Sequence, residues 1–466
     1  MVLAIAARWQ TLGNPVVGYD EQFYLLVGDR MWHGALPYVD IFDRKPIGLF
    51  LIYAGARALG GDGFLQYQLV ALGFVVATAY LIYRAADKIS TPYAAFVAAA
   101  LYIFWLNFME GEGGQAELLI NLPMLAAALL VWQAVEARER IVARGVAAML
   151  LVGVALQIKY TVVFEGIFLG CVLLWVQYLA HRRLSEVIIP ALLWIGCALL
   201  PTALVMLVYW QLGALQPFIF ANFFSQFGRP SSQFSAQFLG LAIICGIMLP
   251  LAVLVARGWR VAPSQSRFLY AWLGAAVLGV IAFGSFLSPH YAQTLVAPFT
   301  ILSALTIGRT KRTHVLGSLF ALVFFLVGQI VLDIVYTGKG GRAETRAIAQ
   351  AAQPVHGCLY VYDGYPALYM LTHSCLPTRW AFPGQLNTHS EDSAKALGVD
   401  PLVEEQRILA TRPEVIVDFS PEYSLGNKRT HGLLQRTLAQ SYRLTHRFRT
   451  GNGEYRLVYR RVDAAL

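Results

Sequence analysis

The sequence predicts a polytopic bundle of transmembrane helices, mainly α in class, followed by a small C-terminal α/β domain. Of the 466 residues, 57% are hydrophobic and only 14% are charged, about half the charged share of a typical soluble domain. The mean hydropathy is +0.56. Much of the net charge of +9 lies in short turns between apolar stretches, which indicates a membrane protein and not a nucleic-acid-binding surface.

The chain contains ten apolar stretches that we predict to be transmembrane helices, because a helix needs roughly 20 apolar residues to cross a bilayer. A shorter apolar stretch, 46–59, carries Arg57 and predicts an interfacial or re-entrant helix. The polar part begins near residue 337, so we predict a membrane domain over 1–336 and an α/β domain over 337–466. The ten stretches are 64–84, 92–108, 116–133, 144–159, 162–180, 187–210, 236–256, 268–286, 290–308 and 315–336.

The first nine residues are apolar but too few to cross a membrane. Three interpretations stay open for Met1–Trp9: the end of a first transmembrane helix, which would be the eleventh span, an interfacial N-terminus, or a helix that extends to Val17.

The basic residues predict which ends of the helices face the cytoplasm. The turns that follow residues 84, 133, 180, 256 and 308 contain thirteen Lys and Arg residues, whereas the four intervening short turns contain only Lys159 and Arg229. Positive charge is enriched on the cytoplasmic side of membrane proteins. We therefore predict that the first loop and the C-terminal domain lie on the other side of the membrane. The first loop spans 10–63, and the later outer loops are 107–116, 211–235 and 287–290.

The C-terminal part alternates short strand-like and helical stretches, which predicts a small α/β domain. Cys358 and Cys375 lie there, and if the domain is exported, either a disulfide between them or two free thiols is compatible with the sequence. The predicted strands are 358–362, 415–419 and 455–460, and the predicted helices are 343–352, 400–411 and 431–440.

Charged residues are dense in the outer loops and sparse at the predicted helix centres, which favours chemistry at the outer interface over transport through the membrane. In the first loop, Asp20 and Glu21 begin a helical segment, where a carboxylate either stabilises the helix start or acts as a general base. Arg44 and Lys45 either anchor the loop at the interface or bind a lipid phosphate. The loop reads Asp20-Glu21, Tyr24, Gly34-x-x-Pro37-Tyr38-x-Asp40 and Lys45-Pro46 before an apolar run.

This order of motifs resembles the first outer loop of the GT-C superfamily of polyprenyl-phosphate-sugar transferases. Similar families are the protein O-mannosyltransferases, the lipid A aminoarabinose transferases and the transferases of the lipopolysaccharide core. The resemblance covers about residues 10–336 and is densest over 18–60. It implies a bacterial inner-membrane enzyme with its first loop and C-terminal domain in the periplasm, acting on a polyprenyl-phosphate-sugar donor and a glycan, lipid or protein acceptor.

The resemblance also implies roles for individual residues of the first loop. Asp20 matches the catalytic carboxylate of the family, Glu21 is its usual neighbour, and Lys45 matches the basic residue that contacts the carrier phosphate. Ile47 stands where the family has a second proline, and Arg44 stands where some relatives have an acidic residue tied to metal binding. The resemblance therefore implies no certain cofactor and leaves a divalent cation open.

Four residues of later outer segments complete the candidate site. Glu117, or secondarily Glu112, matches an acidic residue that positions the acceptor or a metal ion, although a carboxylate there can simply cap a helix. Lys159 matches a basic residue near the carrier phosphate, with an ion pair to Glu165 as the alternative. His290 matches a residue that binds phosphate or sugar, with an interfacial histidine as the alternative.

Three other functions compete with a transferase of this kind, and the third is a binding or scaffold protein that kept the fold and lost activity, which Arg44 and Ile47 leave open. An O-antigen ligase or polymerase also uses a polyprenyl carrier. Such enzymes tend to have their functional loop late in the chain and to use arginines there, whereas the most strongly charged loop of this chain is the early acidic one. A transporter or flippase calls for polar residues at mid-helix or for paired repeats, and the sequence shows neither. The aromatic third loop, 211–235, either covers a lipid groove or only connects two helices.

Overall fold

The computed structural model describes residues 1–230 and 234–463 and is predominantly helical. The part of the predicted third loop at 231–233 lies outside the described residues. The helices are α1 (Val2–Arg8), α2 (Tyr19–Trp32), α3 (Ile47–Arg57), α4 (Phe64–Asp87), α5 (Pro92–Trp105), α6 (Ala116–Ala137), α7 (Ile141–Leu156), α8 (Val163–His181), α9 (Ser185–Gln211), α10 (Leu215–Ile219), α11 (Phe234–Trp259), α12 (Arg267–Phe283), α13 (Val296–Ile307), α14 (Lys311–Lys339), α15 (Arg342–Ala352), α16 (Ala367–Leu371), α17 (Pro383–Asn387), α18 (Ala394–Leu397), α19 (Pro401–Ala410) and α20 (Lys428–Ser441).

Seven helical stretches of the described residues are long and apolar enough to cross a membrane, and each overlaps a predicted span. The other three predicted spans coincide with the shorter helices α5, α7 and α13. The chain is therefore a multi-pass membrane protein, as predicted. The seven stretches are Phe64–Asp87, Ala116–Ala137, Tyr160–His181, Ser185–Gln211, Ser235–Trp259, Ser264–Phe283 and Lys311–Ala352.

The chain divides into two compact units, each made of several chain segments. The first consists of Met1–Thr11, Gln68–Leu207 and Gln233–Leu332. Its central helix is α13, whose residues are all buried and which packs against α5 and α11. By contrast, only 6% of the apolar window in α9 is buried, which is typical of a helix that faces lipid.

The second unit joins the first loop to the C-terminal part: it consists of Leu12–Tyr67, Val208–Ser232 and Asp333–Leu466. The Phe23 and Phe382 rings lie 5.3 Å apart, and Gln385 donates to the carbonyl of Phe42. The predicted boundary near residue 337 remains a prediction, but the loop and the C-terminal segment clearly share one core.

The C-terminal segment contains a four-stranded sheet in the order β1-β2-β4-β3. Its strands are β1 (Leu359–Val361), β2 (Val415–Ser420), β3 (Tyr442–Arg449) and β4 (Tyr455–Arg461). Strands β1 and β2 are parallel and the remaining pairs are antiparallel. A disulfide joins Cys358, just before β1, to Cys375 after α16, so the structure contains the pairing that an exported domain was expected to allow.

The first unit begins with α1, which ends at Arg8 and so does not extend to Val17. In the second unit, α3 is an 11-residue helix at the place where the sequence predicted an interfacial segment. The predicted mainly α fold with a small α/β part is confirmed.

Candidate active site

The first group of candidate residues lies at the start of α2. Gly18 is the extended residue before the helix, and Asp20 and Glu21 lie in its first turn, where free backbone N–H groups stabilise negative charge. Asp20 is half-buried, and its Oδ2 accepts a hydrogen bond from the Tyr24 hydroxyl at 3.1 Å. Asp20 thus keeps access to solvent while one neighbour fixes its orientation.

The turn before α3 brings Lys45 to the same tyrosine. The Asp43 carboxylate accepts hydrogen bonds from the backbone N–H groups of Arg44, at 2.5 Å, and Lys45, at 2.8 Å, a local bond typical of aspartate in turns. Tyr38 donates to the carbonyl of Lys45 at 2.8 Å. The Lys45 Nζ lies 5.8 Å from the centre of the Tyr24 ring, so one ring contacts both the candidate base and the candidate phosphate ligand.

The electrostatics of this group keep its tyrosine protonated. Burial raises the pKa of Tyr24 well above its usual value, and the charges of Asp20 and Asp43 raise it further. Burial likewise raises the pKa of Asp43; Lys45 opposes this rise and Asp20 adds to it. Tyr24 is therefore a hydrogen-bond donor to Asp20, and Asp20, Asp43 and Lys45 interact as one charged cluster.

Glu21 and Arg44 have further contacts inside the second unit. Glu21 is buried, and its carboxylate lies over Gly18 at the helix start, where a Cβ would collide with it. The Arg44 guanidinium binds both carboxylate oxygens of Glu391, at 2.9 and 2.7 Å, and donates to Ser225 and to the carbonyl of Ala396. These bonds occupy most of the donors with which Arg44 would bind a phosphate.

The second group of candidate residues lies within the first unit. Lys159 forms an ion pair with Glu117, and only 7% and 1% of the two side chains are exposed. The His290 Nε2 lies 3.7 Å from the same carboxylate, and its Nδ1 lies 2.6 Å from Glu110. Glu117 in the first turn of α6, Lys159 after α7 and His290 before α13 are therefore brought together by the packing of their helices.

The expected alternative partner of Lys159 is bound elsewhere. The Glu165 Oε2 accepts a hydrogen bond from the Trp272 Nε1 at 2.6 Å, whereas Lys159 pairs with Glu117. The predicted ion pair between Lys159 and Glu165 is therefore wrong.

Glu112 is buried in the loop before α6. Arg8 holds the backbone of this loop, because it donates a hydrogen bond to the carbonyl of Gly111 at 2.7 Å.

A cleft in the first unit opens beside Lys159. The Lys159 Nζ lies 4.6 Å from the centre of the Tyr291 ring and 5.9 Å from that of Phe283. An apolar cleft with a few polar groups is the usual form of a small-molecule site. The cleft is lined by Lys159, Thr161, Phe164, Glu165, Ala276, Gly279, Val280, Phe283, Tyr291 and Thr294.

The described residues contain no preformed cluster of metal ligands. In residues 1–230 and 234–463, no group of three or more His, Cys, Asp or Glu side chains is placed to hold a metal ion.

The structure thus brings the candidates together in two groups. Asp20 and Lys45 meet in the second unit, together with Asp43 and Tyr24, to which the sequence assigned no role. Glu117, Lys159 and His290 meet in the first unit.

Comparison with solved structures identifies the architecture. The crystal structure of ArnT from Cupriavidus metallidurans bound to undecaprenyl phosphate superposes with a TM-score of 0.63 over 99% of this chain and 97% of that chain, at 15% sequence identity. The apo structure of the same protein gives 0.63 over 98% and 96%, at 14% identity. The chain has the GT-C fold. No protein-family model and no curated protein sequence matches it.

The candidates of the two groups come from distant parts of the sequence. Asp20 lies in the first turn of α2, and Lys45 lies just before α3. Glu117 lies in the first turn of α6, the helix after the second loop. The likeness covers nearly the full length of both chains, so the C-terminal sheet belongs to the shared fold.

Proposed function

We propose that the chain is an integral-membrane glycosyltransferase that transfers a sugar from a polyprenyl-phosphate donor to a glycan, lipid or protein acceptor. The GT-C fold supports this proposal, since a protein of similar structure binds undecaprenyl phosphate. The apolar tail of such a donor would stay in the bilayer while its sugar phosphate meets the outer loops.

The proposal depends on one observation: a half-buried carboxylate, Asp20, shares a tyrosine contact with a cation, Lys45. Transfer from a sugar phosphate requires a base for the acceptor and positive charge for the leaving phosphate. Asp20 and Lys45 supply these two functions in one compact unit.

The reaction would be a single displacement with inversion. Asp20 takes the proton from an acceptor hydroxyl or amine as that oxygen or nitrogen forms a bond to the anomeric carbon. The bond between the anomeric carbon and the phosphate oxygen breaks, and its electron pair leaves with polyprenyl phosphate. Lys45 stabilises the negative charge of that leaving group, which therefore needs no proton.

The second group would add a contact to the donor. Lys159 lies beside the cleft of the first unit and would bind the phosphate, with His290 next to it and Glu117 holding the lysine in place. Glu112 would stabilise the loop before α6. Arg44 would not contact the donor, because its guanidinium is bound by Glu391.

We place this reaction on the periplasmic side of a bacterial inner membrane. The basic turns predict that the first loop is outside the cytoplasm. The disulfide between Cys358 and Cys375 supports the same location for the C-terminal part, because such bonds persist in oxidising compartments.

The test is the Asp20→Asn variant, assayed as purified protein with a radiolabelled polyprenyl-phosphate sugar and membrane extract as the acceptor source. We expect transfer to fall by roughly 100- to 10,000-fold, the usual contribution of a general base, with unchanged expression. The matched control is Asp40→Asn, which changes an exposed carboxylate of the same loop and should transfer normally.

Two outcomes would contradict the proposal. Undiminished turnover in Asp20→Asn would remove Asp20 as the base. Wild-type protein that moves the labelled donor across a vesicle membrane without forming any glycosylated product would identify a flippase instead.

A further inference from the structure

An arginine of the C-terminal sheet is bonded to the start of the helix that carries the proposed base. Arg456 lies in β4, and only 4% of it is exposed. Its Nη2 donates a hydrogen bond to the hydroxyl of Tyr19, which is the first residue of α2 and directly precedes Asp20. The bond therefore joins two parts of the second unit that are 437 residues apart in the chain.

The other contacts of Arg456 fix the direction of its guanidinium. The Nη1 lies 3.7 Å from the Asp363 carboxylate, and the Cζ lies 4.7 Å from the centre of the Tyr365 ring and 4.3 Å from that of Phe419. A guanidinium is planar and presents its donors in a fixed fork. The anion and the two aromatic rings together determine where its N–H groups point, so Arg456 is a rigid donor for Tyr19.

Tyr19 is held by its ring as well as by its hydroxyl. The ring stacks on that of Tyr365, with the two centres 5.8 Å apart, and Tyr365 in turn donates a hydrogen bond to the carbonyl of Lys339. Burial raises the pKa of Tyr19 well above its usual value, and the charge of Arg456 opposes this rise. The hydroxyl is therefore neutral and accepts a hydrogen bond from a fixed cation.

The first turn of α2 needs such support. The first N–H groups of a helix have no partner inside the helix, and helix ends fray. Gly18, the residue before α2, has no side chain with which to cap it. Asp20 is bonded to Tyr24, one turn further along the same helix, so the direction of its carboxylate follows that of the first turn.

Two contacts hold the rest of α2 on the C-terminal part. The Gln22 Oε1 accepts a hydrogen bond from the backbone N–H of Ala367 at 3.3 Å, and Arg30 donates to the carbonyl of Ser374 at 2.5 Å. Arg456 adds a third contact at the first residue of the helix, next to the proposed base.

We propose that Arg456 is a positioning residue for the transfer reaction: by holding Tyr19, it fixes the first turn of α2 and so the direction of the Asp20 carboxylate. The effect on catalysis rests on the proposed function, whereas the effect on the helix rests on these contacts alone. A base acts only within hydrogen-bond reach of its proton, and a misplacement of about 1 Å can cost 100-fold in rate. The C-terminal sheet is then a support of the active site.

Hydrogen exchange tests the effect on the helix without any turnover. Tyr19→Phe removes only the hydroxyl and keeps the ring, and Arg456→Lys keeps the charge beside Asp363 but loses the planar fork. Amide exchange of the full-length protein in detergent is read by mass spectrometry. In peptides that cover 18–28 it should be roughly tenfold faster in both variants, the effect of losing one hydrogen bond to a charged group. Exchange in β2 should stay as in the wild type, which separates a local effect from a general loss of stability.

The transfer assay tests the effect on catalysis. We expect kcat to fall by roughly 10- to 100-fold in both variants while the KM for the donor stays unchanged, because Asp20 is misplaced and Lys45 is not.

Tyr362→Phe is the matched control. It removes another buried tyrosine hydroxyl of the second unit, one that is bonded to Thr430 at 3.0 Å. Its exchange in 18–28 and its transfer should equal those of the wild type.

Three results would overturn the proposal. In the first, exchange in 18–28 is unchanged in Tyr19→Phe, so that Arg456 does not hold the helix. In the second, exchange is faster but kcat is that of the wild type, so that the helix start does not position the base. In the third, Tyr362→Phe has the same effects as Tyr19→Phe, so that any lost hydroxyl of this unit suffices.

The two measurements also separate this proposal from the proposed function. If the wild type transfers no sugar, the transferase assignment fails and the catalytic role of the contact fails with it. The exchange result still decides whether Arg456 holds the start of α2.

Discussion

At the scale of single residues, the buried ion pair between Lys159 and Glu117 is a contact with a large energetic consequence. Both side chains are nearly inaccessible to water, and an unpaired charge in such a place is costly. Glu117 therefore has a structural task, to hold the lysine, whatever Lys159 does for the donor.

Lys159→Met tests both roles of the lysine. It leaves the Glu117 carboxylate buried without its cation, so we expect the unfolding free energy to fall by about 3–5 kcal/mol, measured by thermal and denaturant unfolding in detergent. The double variant Lys159→Met/Glu117→Gln removes both charges and should recover most of that stability.

Transfer activity should respond differently from stability. If Lys159 contacts the donor phosphate, the double variant stays roughly 100-fold slower than the wild type even though it folds normally. A stable double variant with wild-type transfer would show that the pair is only structural.

The sequence located most of the charged candidates but not all their partners. Lys159 was expected beside Glu165, six residues away, yet its partner Glu117 comes from another helix, a contact that depends on packing and not on spacing. The sequence gives Asp43 no role, because an aspartate beside two basic residues is indistinguishable from an ordinary turn residue by its sequence alone. Asp43 stands directly before Arg44 and Lys45. An aspartate in that position commonly accepts hydrogen bonds from the next two backbone N–H groups, as it does here.

At the scale of secondary-structure elements, the close packing of α2 on α3 positions the first-loop residues. A Cβ at Gly28 in α2 would lie 2.7 Å from the backbone N of Ala54 and 2.8 Å from the carbonyl carbon of Tyr53 in α3. Neither backbone atom can move alone. Beside this contact, the Arg57 Nε is bonded to the Asp29 carboxylate at 2.8 Å and joins the same two helices.

Gly28→Ala should therefore push α3 away from α2. Because Asp20 begins α2 and Lys45 precedes α3, the two would separate, and we expect transfer to fall by at least tenfold and stability by about 1–3 kcal/mol. The measurements are the transfer assay and thermal unfolding.

Gly55→Ala is the matched control for this variant. Gly55 lies in α3, but a Cβ there meets nothing within 4 Å, and alanine favours a helix by about 1 kcal/mol over glycine. This control should be neutral or slightly stabilising. Equal effects of the two variants would mean that the helix contact does not position the site.

The elements that the sequence predicted best are those with a simple pattern. The apolar spans and the buried strands β1 and β2 follow directly from hydrophobicity. Strand β3, residues Tyr442–Arg449, was missed because it is an edge strand in which arginines alternate with other residues and most side chains are exposed. Its assignment depends on pairing with β4, a contact that hydropathy does not encode.

At the scale of the whole molecule, the orientation in the membrane decides whether the proposed chemistry is feasible. The positive-inside rule assigns the first loop and the C-terminal part to the outer side, and the disulfide agrees with it. Asp20 and Lys45 belong to the same compact unit as the C-terminal sheet. The first loop and the C-terminal part must therefore lie on the same side of the membrane.

Cysteine labelling in intact cells tests this orientation. In a background with Cys171, Cys197 and Cys245 replaced by serine, single cysteines are introduced as Asp40→Cys in the first loop, Gln440→Cys in the C-terminal part and Glu139→Cys in a basic turn, all at exposed positions. A membrane-impermeant maleimide should label the first two in cells with a permeabilised outer membrane, and the third only after lysis. The reverse pattern would put the first loop in the cytoplasm. A lipid-linked sugar displayed at the outer face could then no longer reach Asp20, and the transferase proposal would fail however well the residues are arranged.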